Sequence, residues 1–518
     1  MRVTPMALPV GWLAACVILA ACGGGSPPKA PGRSYYIAPT GKAQALGSAT
    51  DPWDMVTALS HPEALRGNDT LWLRGGTYQG SFISSIAGEE NARIVVRQAP
   101  GEDAIIDGSL EVRGQYATYW GFEVLNSNPV RVTATAGSDP ADYKRPTGVV
   151  VHGRGTRLVN LVVHDAGSGV GMWMPAIDAE VYGCVIYNNG WQGPDRGYGT
   201  GIAAQNETGT KRIRDNVVFQ QFNDGIRIYG SEESFLTGFD VEGNTSFDNG
   251  LLSQTRFATD VFIGGATPMA RIKVSNNYTF RSDGLGTARF GYEKAIINDD
   301  LMLTNNYFVG QTFLDNWKTA TVEGNTFTGA QNLLEIRVPE GKTVRDYKWD
   351  GNAYYPDQRR RALNSTMPIV AIENDSGRGF TFDDWTKTTG RDGGGRSATA
   401  PSGMQVFVRP NQYEKGRAHV IVYNWSRATS VAVDLSDVLD KGDRYEIRSI
   451  YDLRGAPAVS GVFPGRPYSM PFLKADPIDI PIAASRPTAA VGVPPLSSEG
   501  GVPEFAVFLV RRAAANAR

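Results

Sequence analysis

Short segments of alternating apolar and polar residues follow one another from about residue 70 to residue 355. Most take one form, a short strand, a turn with asparagine and a second short strand: LVNLVVHD, VYGCVIYN, IRDNVVFQ, VEGNTSFD, VSNNYTFR, LTNNYFVG and VEGNTFTG. Such alternation between turn residues is typical of β-strands. The segments recur at intervals of about 19 to 33 residues, as in repeat architectures. Since one such coil cannot bury its apolar face alone, the pattern predicts a solenoid of stacked coils.

The asparagines of these turns recur at equivalent points of successive coils. Asparagine side chains readily bond nearby backbone groups, so we expect each one to bond the turn of a neighbouring coil. Their recurrence therefore needs no catalytic role. Glycine (60 residues) and proline (30 residues) are also abundant, which favours many turns and few long helices.

The two ends of the predicted solenoid differ from its coils. PWDMVTALSHPEAL, ahead of the first coil, has helical spacing of its apolar positions, and TFDDWTKTTG after the last coil is a second amphipathic patch. From Met404 the alternation lengthens into the strands MQVFVRPNQ, RAHVIVYNWS, TSVAVDLSDVL, RYEIRSIYDL and EFAVFLVRR. These strands predict an antiparallel β-sandwich, which we expect to cover the open end of the solenoid.

The stretch GTGIAA, which begins at Gly199, fits the glycine fingerprint of dinucleotide-binding proteins. That fingerprint requires a strand before it and a helix after it. Here the loop NGWQGPDRGY precedes the glycines, and another strand of the repeat follows them. We therefore predict a solenoid strand and no nucleotide cofactor. The formal net charge of −2 also lacks the basic footprint of a nucleic-acid-binding protein.

The N-terminal segment predicts export and lipid attachment. An early arginine, an apolar run and LAAC ending at Cys22 resemble a bacterial lipoprotein signal, and the alternative is an ordinary secretory signal. Lipid on Cys22 would hold the protein at the cell envelope, on the outer membrane or facing the periplasm, ahead of the flexible stretch GGGSPPKAPG. After processing only Cys184 would accompany Cys22, so no disulfide framework is expected and Cys184 is predicted to lie in the core.

The entry into the repeat resembles a known fold family. YYIAPTGK, ATDPWDMVTAL and GNDTLWLRGGTYQGS are similar to the cap and first coil of the right-handed parallel β-helices of the pectin-lyase-like superfamily. VHDAGSGVGMWMPAIDAEVYGCVIYNNGW and GYGTGIAAQN resemble the central coils of a bacterial subgroup of β-helix repeat proteins. The resemblance implies the fold from about Tyr35 to Tyr355. It does not select a reaction, because the superfamily includes polysaccharide lyases, glycoside hydrolases, epimerases and esterases.

The predicted fold class is therefore all-β, a right-handed parallel β-helix followed by an antiparallel β-sandwich. The predicted segments are a signal peptide at 1–22, a flexible tether at 23–34, the β-helix at 35–360, a linker at 361–403 and the sandwich at 404–518.

One face of the predicted solenoid carries side chains suited to an acidic sugar polymer. Aligning five coils on Val170, Ile202, Ile226, Val261 and Ala288 places those apolar residues inward, because a strand alternates its faces. The outward row then contains Gly171, Trp173, Ala203, Gln205, Arg227, Tyr229, Phe262 and Arg289.

This outward row offers two kinds of contact to a polysaccharide. Trp173 and Tyr229 present flat rings of the kind on which sugars stack, whereas Arg227 and Arg289 present planar forks suited to carboxylates. The alternative is that the arginines only keep an exposed sheet soluble. The predicted substrate-binding residues are Trp173, Gln205 and Asn206.

Aspartates occur in the turns that adjoin this row. Three of them are candidate metal ligands: Asp165, Asp195 and Asp224. Together they would suit Ca²⁺, which takes several carboxylate and carbonyl oxygens. Two of them could instead supply the acid and the base of a glycoside hydrolase. Each aspartate alone is also typical of a structural turn.

A histidine and a lysine are further candidates. His164 with Asp165 resembles a base and its orienting partner, but other coils hold aromatic residues at the same position, which favours a stacking role. Lys294 could remove a proton next to a uronate carboxyl, or it could pair with Glu293 at the surface.

These patterns favour an extracytoplasmic polysaccharide lyase that cleaves a uronic-acid-containing chain by β-elimination. Arg227 or Arg289 would neutralise the uronate carboxylate, and Tyr229 or Lys294 would remove the C5 proton. Asp224 completes the predicted catalytic group. A glycoside hydrolase using paired aspartates and a non-catalytic binding or export accessory protein stay open as alternatives. We expect a monomer that binds an acidic polysaccharide and meets the membrane only through its lipid.

Overall fold

The computed structural model describes residues 32–255, 258–329, 332–356, 368–374, 376–398, 400–465, 477–483, 489–493 and 501–513. The predicted signal peptide and Cys22 lie outside these residues. Within the described ranges, no helix combines the length and the apolar character needed to cross a bilayer. The described chain is nearly all β-structure and forms two units, a stack of coils and a C-terminal sandwich.

The coils build three parallel sheets around one core, which confirms the predicted parallel β-helix. Sheet 1 contains Ser34–Ile37, Thr70–Leu73, Ile94–Gln98, Ala117–Trp120, Arg157–Val159, Glu180–Tyr182, Lys211–Arg214, Leu236–Glu242, Met269–Ser275, Asp299–Thr304, Ala320–Glu323 and Lys348–Asp350. Sheet 2 contains Glu123–Leu125, Val162–His164, Val185–Tyr187, Val217–Phe219, Thr245–Phe247, Tyr278–Phe280, Tyr307–Val309, Thr326–Gly329, Ala353–Pro356 and Arg396–Ser397. Sheet 3 contains Val149–Val151, Val170–Met172, Ile202–Ala204, Ile226–Gly230, Val261–Gly265, Gly286–Phe290, Gln311–Asp315, Leu334–Arg337 and Ile369–Glu373.

Two long strands join sheets 2 and 3 at the start of the stack. Gly76–Ser84 pairs with Ala104–Val112 over its full length, and Ala104–Val112 then pairs with both Glu123–Leu125 and Val149–Val151. A single strand therefore spans the corner that later coils turn with a loop. The remaining strands of the stack are the hairpin of Trp191–Gln192 with Gly197–Tyr198, and Ser376–Phe380, which is antiparallel to Ile369–Glu373.

Alternation along the short strands fills the core. In Ile226–Gly230, Ile226 and Ile228 are fully buried, whereas Arg227 and Tyr229 between and after them are only part buried. Equivalent inward side chains of successive coils pack on one another in a single continuous cluster. Cys184 belongs to that cluster and is a free, buried thiol, as predicted.

An asparagine ladder links successive coils at the corner between sheets 1 and 2. From Asn244 onward, each ladder side-chain oxygen accepts the backbone N–H of the ladder residue one coil earlier, at 2.9–3.1 Å. The ladder ends on Asp392, whose carboxylate accepts the N–H of Asn352 at 3.0 Å. This confirms the structural role predicted for the recurring asparagines. The ladder residues are Asn216, Asn244, Asn277, Asn306, Asn325 and Asn352.

The glycines of GTGIAA serve the entry into a sheet 3 strand. A Cβ atom on Gly201 would lie 2.3 Å from Cγ1 of Val218 and 2.7 Å from the carbonyl oxygen of Gly225, so only glycine fits there. The residues that follow form Ile202–Ala204, paired in parallel on both sides. The prediction of a solenoid strand at this stretch is confirmed.

A short helix lies at each end of the stack. Met55–Leu59 contributes buried side chains to the core near the first coils. Phe382–Thr389 lies against the last strand of sheet 1, where the buried Trp385 ring is 5.4 Å from the ring of Trp349. The helix thus covers the apolar interior that the last coil would otherwise expose.

The C-terminal unit is an antiparallel sandwich of two sheets. The order of the first sheet is Met404–Pro410, Ala418–Asn424, Phe505–Arg512, Arg444–Ser449 and Val459–Val462, and the second sheet pairs Ser430–Val433 with Ile478–Pro481. Along Ala418–Asn424, Val420 and Val422 belong to the core of the sandwich, while Ile421 and Tyr423 pack on the solenoid. Both faces of this sheet are therefore buried.

The sandwich lies on the outer face of sheet 2. Phe505 stacks on Phe280 with 4.8 Å between ring centroids, and Tyr423 stacks on Tyr307 at 4.1 Å. Trp425 donates its indole N–H to the Tyr307 hydroxyl at 2.9 Å. The expectation that the sandwich covers the end of the solenoid was therefore wrong. The aromatic residues that end the sheet 2 strands make its outer face apolar, and the sandwich buries that face instead.

The coils also continue beyond the predicted boundary at residue 360. Ile369–Glu373 adds a strand to sheet 3, and Arg396–Ser397 adds one to sheet 2, both within the predicted linker at 361–403. These strands lack the asparagine turn that marks earlier coils, which is why the sequence pattern did not reveal them.

Candidate functional site

The outer face of sheet 3 brings most of the predicted site residues together. Cross-strand pairing aligns Val170, Ile202, Ile226, Val261 and Ala288, all buried, so the predicted register is confirmed. One outward column consists of Gly171, Ala203, Arg227, Phe262, Arg289 and Phe313. We define the sheet 3 stripe as this column together with Trp173, Gln205, Tyr229, Tyr292, Asp315 and Arg337.

Arg227 is the centre of the stripe. Its guanidinium carbon lies 4.4 Å from the ring centroid of Tyr229 and 5.1 Å from that of Phe262. Its Nη1 donates to the carboxylate of Asp224 at 2.5 Å, and the Asp224 carboxylate also accepts the N–H of Thr259 at 2.8 Å. The guanidinium is thus fixed between aromatic rings and a buried acid, while 22% of its side chain stays exposed. Such a fork can donate to an incoming carboxylate.

Arg289 repeats this arrangement two strands further along. Its guanidinium carbon lies 4.2 Å from the ring centroid of Phe313 and 5.9 Å from that of Tyr292. The carboxylate of Asp315 lies 3.6 Å from Arg289 and 3.8 Å from Arg337. Burial raises the pKa of Asp315 to about 6, and the two arginines oppose that rise. The net charge of the group formed by Arg289, Asp315 and Arg337 therefore changes as the pH passes through the mildly acidic range.

The spacing of the two arginines suits an extended polymer. One strand separates Arg227 from Arg289, which places them roughly 10 Å apart along the solenoid axis. The buried ring of Phe262 lies between them, and the ring of Tyr292, which is 47% exposed, lies 5.4 Å from it. A linear polymer laid along the axis would pass both cations and the rings between them.

The stripe is shallow on the side of the earlier coils. Gly171 and Ala203 form a small-residue floor beside Trp173 and Gln205. The Gln205 amide donates to the carbonyl oxygen of Tyr229 at 3.2 Å, and so links the two strands. The indole of Trp173 lies over Gly171, where a Cβ atom would be 3.4 Å from the ring, so the flat ring itself lines this end of the stripe.

Two residues of this region gave no signal in the sequence. Lys211, fully buried beneath the stripe, donates its ammonium to the carbonyl oxygens of Trp173 and Gln205, and burial lowers its pKa to about 7. His152 follows the strand Val149–Val151 on the stripe side, with Nε2 3.6 Å from the Glu111 carboxylate. Lys211 lies in an ordinary alternating strand and His152 directly follows one. Only the register of the coils against one another could have shown that these two residues lie near the stripe.

Asn206 and Lys294 are among the predicted site residues that lie outside the stripe. Asn206 is fully buried, and its amide donates to the carbonyl oxygens of Thr237 and Gly238. The prediction placed Asn206 on the outer face because it follows Gln205 in the chain, but the chain turns inward directly after Gln205. Lys294 is exposed on the loop that also carries Tyr292, and its carbonyl oxygen accepts from Asn316 at 2.7 Å.

The three predicted metal ligands are not brought together. Asp165 is buried in an ion pair with Arg131 at 2.8 Å, and Asp195 is exposed and accepts the hydroxyl of Tyr198 at 2.6 Å. Asp224 holds the central arginine of the stripe. These residues therefore offer neither Ca²⁺ a shared set of oxygens nor a hydrolase a facing pair. Within the part of the chain that the structure describes, no three acidic, histidine or cysteine side chains cluster as a metal site.

His164 lies on sheet 2, away from the stripe. It stacks on Tyr187 with 4.6 Å between ring centroids, in agreement with the predicted stacking role. Its ring nitrogens lie 2.8 Å from the Asp165 carboxylate and 2.9 Å from the Glu123 carboxylate. Burial opposes the charged imidazolium, but the hydrogen bonds to both carboxylates outweigh it and raise the pKa of His164. The His164 side chain is therefore part of a buried charge network with Asp165 and Glu123.

Comparison with known proteins gives limited similarity. No family model matches the chain. A segment of 99 residues is 30% identical to the pectate disaccharide-lyase of Dickeya chrysanthemi, and it covers 19% of this chain and 13% of that protein. Similar solved structures include pectate lyase Pel9A (TM-score 0.37, 17% identity, 63% of this chain and 75% of that one). They also include a rhamnogalacturonan lyase (TM-score 0.45, 13% identity, 62% of this chain and 87% of that one). A third is XylC in complex with xylose (TM-score 0.44, 10% identity, 86% of this chain and 95% of that one).

Proposed function

We propose that this protein is a polysaccharide lyase that cleaves a uronic-acid-containing chain by β-elimination at the sheet 3 stripe. The observation that carries the proposal is the placement of Arg227, fixed by Asp224 and stacked on Tyr229 at an exposed sheet face. The segment similar to a pectate disaccharide-lyase supports the same class of reaction.

The stripe matches the chemistry of a uronate polymer. Each acidic sugar presents a carboxylate that a guanidinium fork binds through two parallel hydrogen bonds. The faces of the sugar rings are apolar enough to pack on aromatic side chains such as Trp173 and Tyr292. With cations at Arg227 and Arg289, the stripe provides two carboxylate positions along one strand of polymer.

Elimination needs a positive group at the carboxylate and a base near C5. In our proposal, Arg227 binds the carboxylate and stabilises the negative charge that develops on it when the C5 proton leaves. Tyr229 takes that proton as the base once its own hydroxyl proton has passed to solvent, the electron pair forms the C4–C5 double bond, and the bond from C4 to the departing oxygen breaks. A proton from solvent completes the departing hydroxyl.

The other stripe residues act on binding and position. Asp224 keeps the guanidinium of Arg227 in place through its 2.5 Å hydrogen bond and needs no contact with the polymer. Arg289, with Asp315 beside it, binds a further carboxylate of the same polymer. Rigid strands carry these groups, so little reorganisation is needed when the polymer binds.

A direct assay tests the proposed reaction. The chain lacking residues 1–22 is incubated with a panel of acidic and neutral polysaccharides, with and without calcium ions. Ultraviolet absorbance of the unsaturated uronide and the appearance of reducing ends are followed together. We expect both to rise with a uronic-acid polymer. New reducing ends without a rise in absorbance would indicate hydrolysis and contradict elimination. No change in either quantity with any polysaccharide of the panel would favour a binding protein.

We also propose that the enzyme works at the bacterial cell envelope, held by lipid on Cys22. Mass spectrometry of the mature protein from the membrane fraction tests this. We expect an N-terminal Cys22 carrying a diacylglyceryl group. A mature chain that starts elsewhere, without lipid, would overturn the anchor and leave the proposed reaction untouched.

A further inference from the structure

We infer that the outer face of sheet 1 carries a second, non-catalytic binding site for acidic oligosaccharides, centred on Arg97. Sheet 1 is a different face of the solenoid from the sheet 3 stripe. The inference therefore does not depend on the proposed elimination.

Arg97 is enclosed by aromatic rings. Its guanidinium carbon lies 5.3 Å from the ring centroid of Trp72 and 4.2 Å from that of Trp120. Strand pairing places Trp72 opposite Arg97, and Arg97 opposite Trp120, so the three side chains form one outward column. Tyr413, from the sandwich, extends the cluster with its ring centroid 6.1 Å from that of Trp120.

The guanidinium of Arg97 has no partner of its own. It makes no hydrogen bond or ion pair with any described residue, and its Nε is buried without an acceptor. Burial lowers the pKa of Arg97, and the charge of Glu414 only partly opposes this. That carboxylate is already engaged by the amide of Asn160 at 2.9 Å. A part-buried cation without a carboxylate is costly, and the N–H groups that reach the surface remain available to an anion.

Another arginine of the same column, Arg214, has a structural role and differs from Arg97 in its partners. Four strands later the column position is held by Arg214, which forms an ion pair with Asp240 and lies 3.7 Å from Glu242. Ion pairs therefore keep that part of the face soluble. At Arg97 the neighbours are two indoles instead of two acids, which suits a ligand that brings its own carboxylate.

A uronate sugar fits this combination of groups. Arginine stacked on an aromatic ring keeps its planar fork free to hold a carboxylate in a bidentate manner, and indole edges pack against sugar rings. The open part of the column, from Trp72 to Trp120, runs along the solenoid axis and suits a short oligosaccharide, because Val159 and Tyr182 further along it are buried. Trp72 and Trp120 are half-buried in the sheet and do not project from it, which disfavours insertion into a lipid surface.

Titration calorimetry of the mature chain with saturated trigalacturonate tests the inference. The double variant Arg227→Ala/Arg289→Ala serves as background, because it removes both arginines of the stripe column and any turnover. We expect one remaining site in this background, and none when Arg97→Met is added. Methionine keeps a stem between the indoles and removes the charge and the donors. Arg97→Lys keeps the charge but loses the fork, and we expect at least tenfold weaker binding.

Two controls separate the outcomes. Unchanged thermal unfolding of each variant shows that the sheet is intact, and a neutral trisaccharide should not bind at this site. The inference is overturned if Arg97→Met leaves the remaining site unaltered, if Arg227→Ala/Arg289→Ala binds no trigalacturonate, or if anionic phospholipid vesicles bind in an Arg97-dependent way and trigalacturonate does not. Failure of the lyase assay would leave this titration fully interpretable.

Discussion

The guanidinium of Arg227 lies 4.4 Å from the ring centroid of Tyr229, two residues further along the same strand and on the same face of sheet 3. A sugar bound over this pair meets a positive charge and a phenol together. Because a strand and not a loop carries both groups, their relative position is fixed before the polymer arrives. This relationship underlies the first prediction.

Replacing Tyr229 by phenylalanine should keep the stacking on Arg227 and remove the proton acceptor. We expect kcat to fall by about 100-fold or more, with little change in KM, because the phenol acts in the transition state. Tyr116→Phe, in the turn before the sheet 1 strand Ala117–Trp120, is the matched control and should keep its rate. A Tyr229→Phe variant with wild-type kcat would assign the base elsewhere.

The pH dependence of binding should report on Asp315. Burial raises the pKa of this carboxyl to about 6, so it is ionised at neutral pH and protonated in mild acid. Protonation removes the negative charge beside Arg289 and Arg337, and the stripe becomes more positive. We therefore expect affinity for an acidic polymer to rise about two- to tenfold as the pH falls from about 7 to about 5.

The Asp315→Asn variant is the matched test, since asparagine has the same shape and no charge to titrate. Its affinity should be high at both pH values and nearly constant between them. Binding is best followed in the Arg97→Met background, so that only the stripe is measured. An Asp315→Asn variant with the full wild-type pH response would exclude this carboxyl as its source.

The asparagine ladder should matter for stability and not for activity. Asn277 accepts the backbone N–H of Asn244 at 3.0 Å and donates to the carbonyl oxygen of Val241 at 2.9 Å. Asn277→Ala removes both bonds and leaves the N–H of the buried Asn244 without this acceptor, so we expect the free energy of unfolding to fall by about 3 kcal/mol. Denaturant unfolding checks this, with Asn128→Ala at an exposed loop as control. Equal stability of the two variants would contradict a structural ladder.

The sandwich and the solenoid should unfold together. Trp425 is buried in their interface and donates to the Tyr307 hydroxyl, so truncation to alanine removes a large ring and a hydrogen bond. We expect one calorimetric transition in the wild type and a loss of about 3–5 kcal/mol in Trp425→Ala. Val462→Ala, at a 57% exposed position of the sandwich, should be nearly neutral. Two well-separated transitions would show that the units are independent.

The fold was readable in the sequence wherever one coil resembled the next. The inward series from Val170 to Ala288 and the asparagine turns gave both the solenoid and the register of sheet 3, because strand alternation and local side-chain bonds are short-range effects. The position of the sandwich was not readable. It depends on the combined apolar face that Phe280 and Tyr307 build across separate coils, and no single segment carries that information.

Part of the candidate site was likewise predicted from the sequence and part was not. Arg227, Tyr229 and Arg289 follow from the register alone, and the structure places them in one stripe. Asn206 follows a strand that ends in an inward turn, so its buried position depends on backbone geometry beyond the strand. Lys211 came from another sheet and reaches the stripe from below, which only the closed coil makes possible.

The most direct test of the proposed function is the initial rate of unsaturated uronide formation by Arg227→Ala, compared with wild type and with Arg212→Ala on the outer face of sheet 1. We predict that Arg227→Ala loses about 100-fold or more, because the group that stabilises the developing charge is gone. Arg212→Ala should match the wild type. An Arg227→Ala variant that folds and still forms unsaturated product at the wild-type rate would contradict elimination at the sheet 3 stripe.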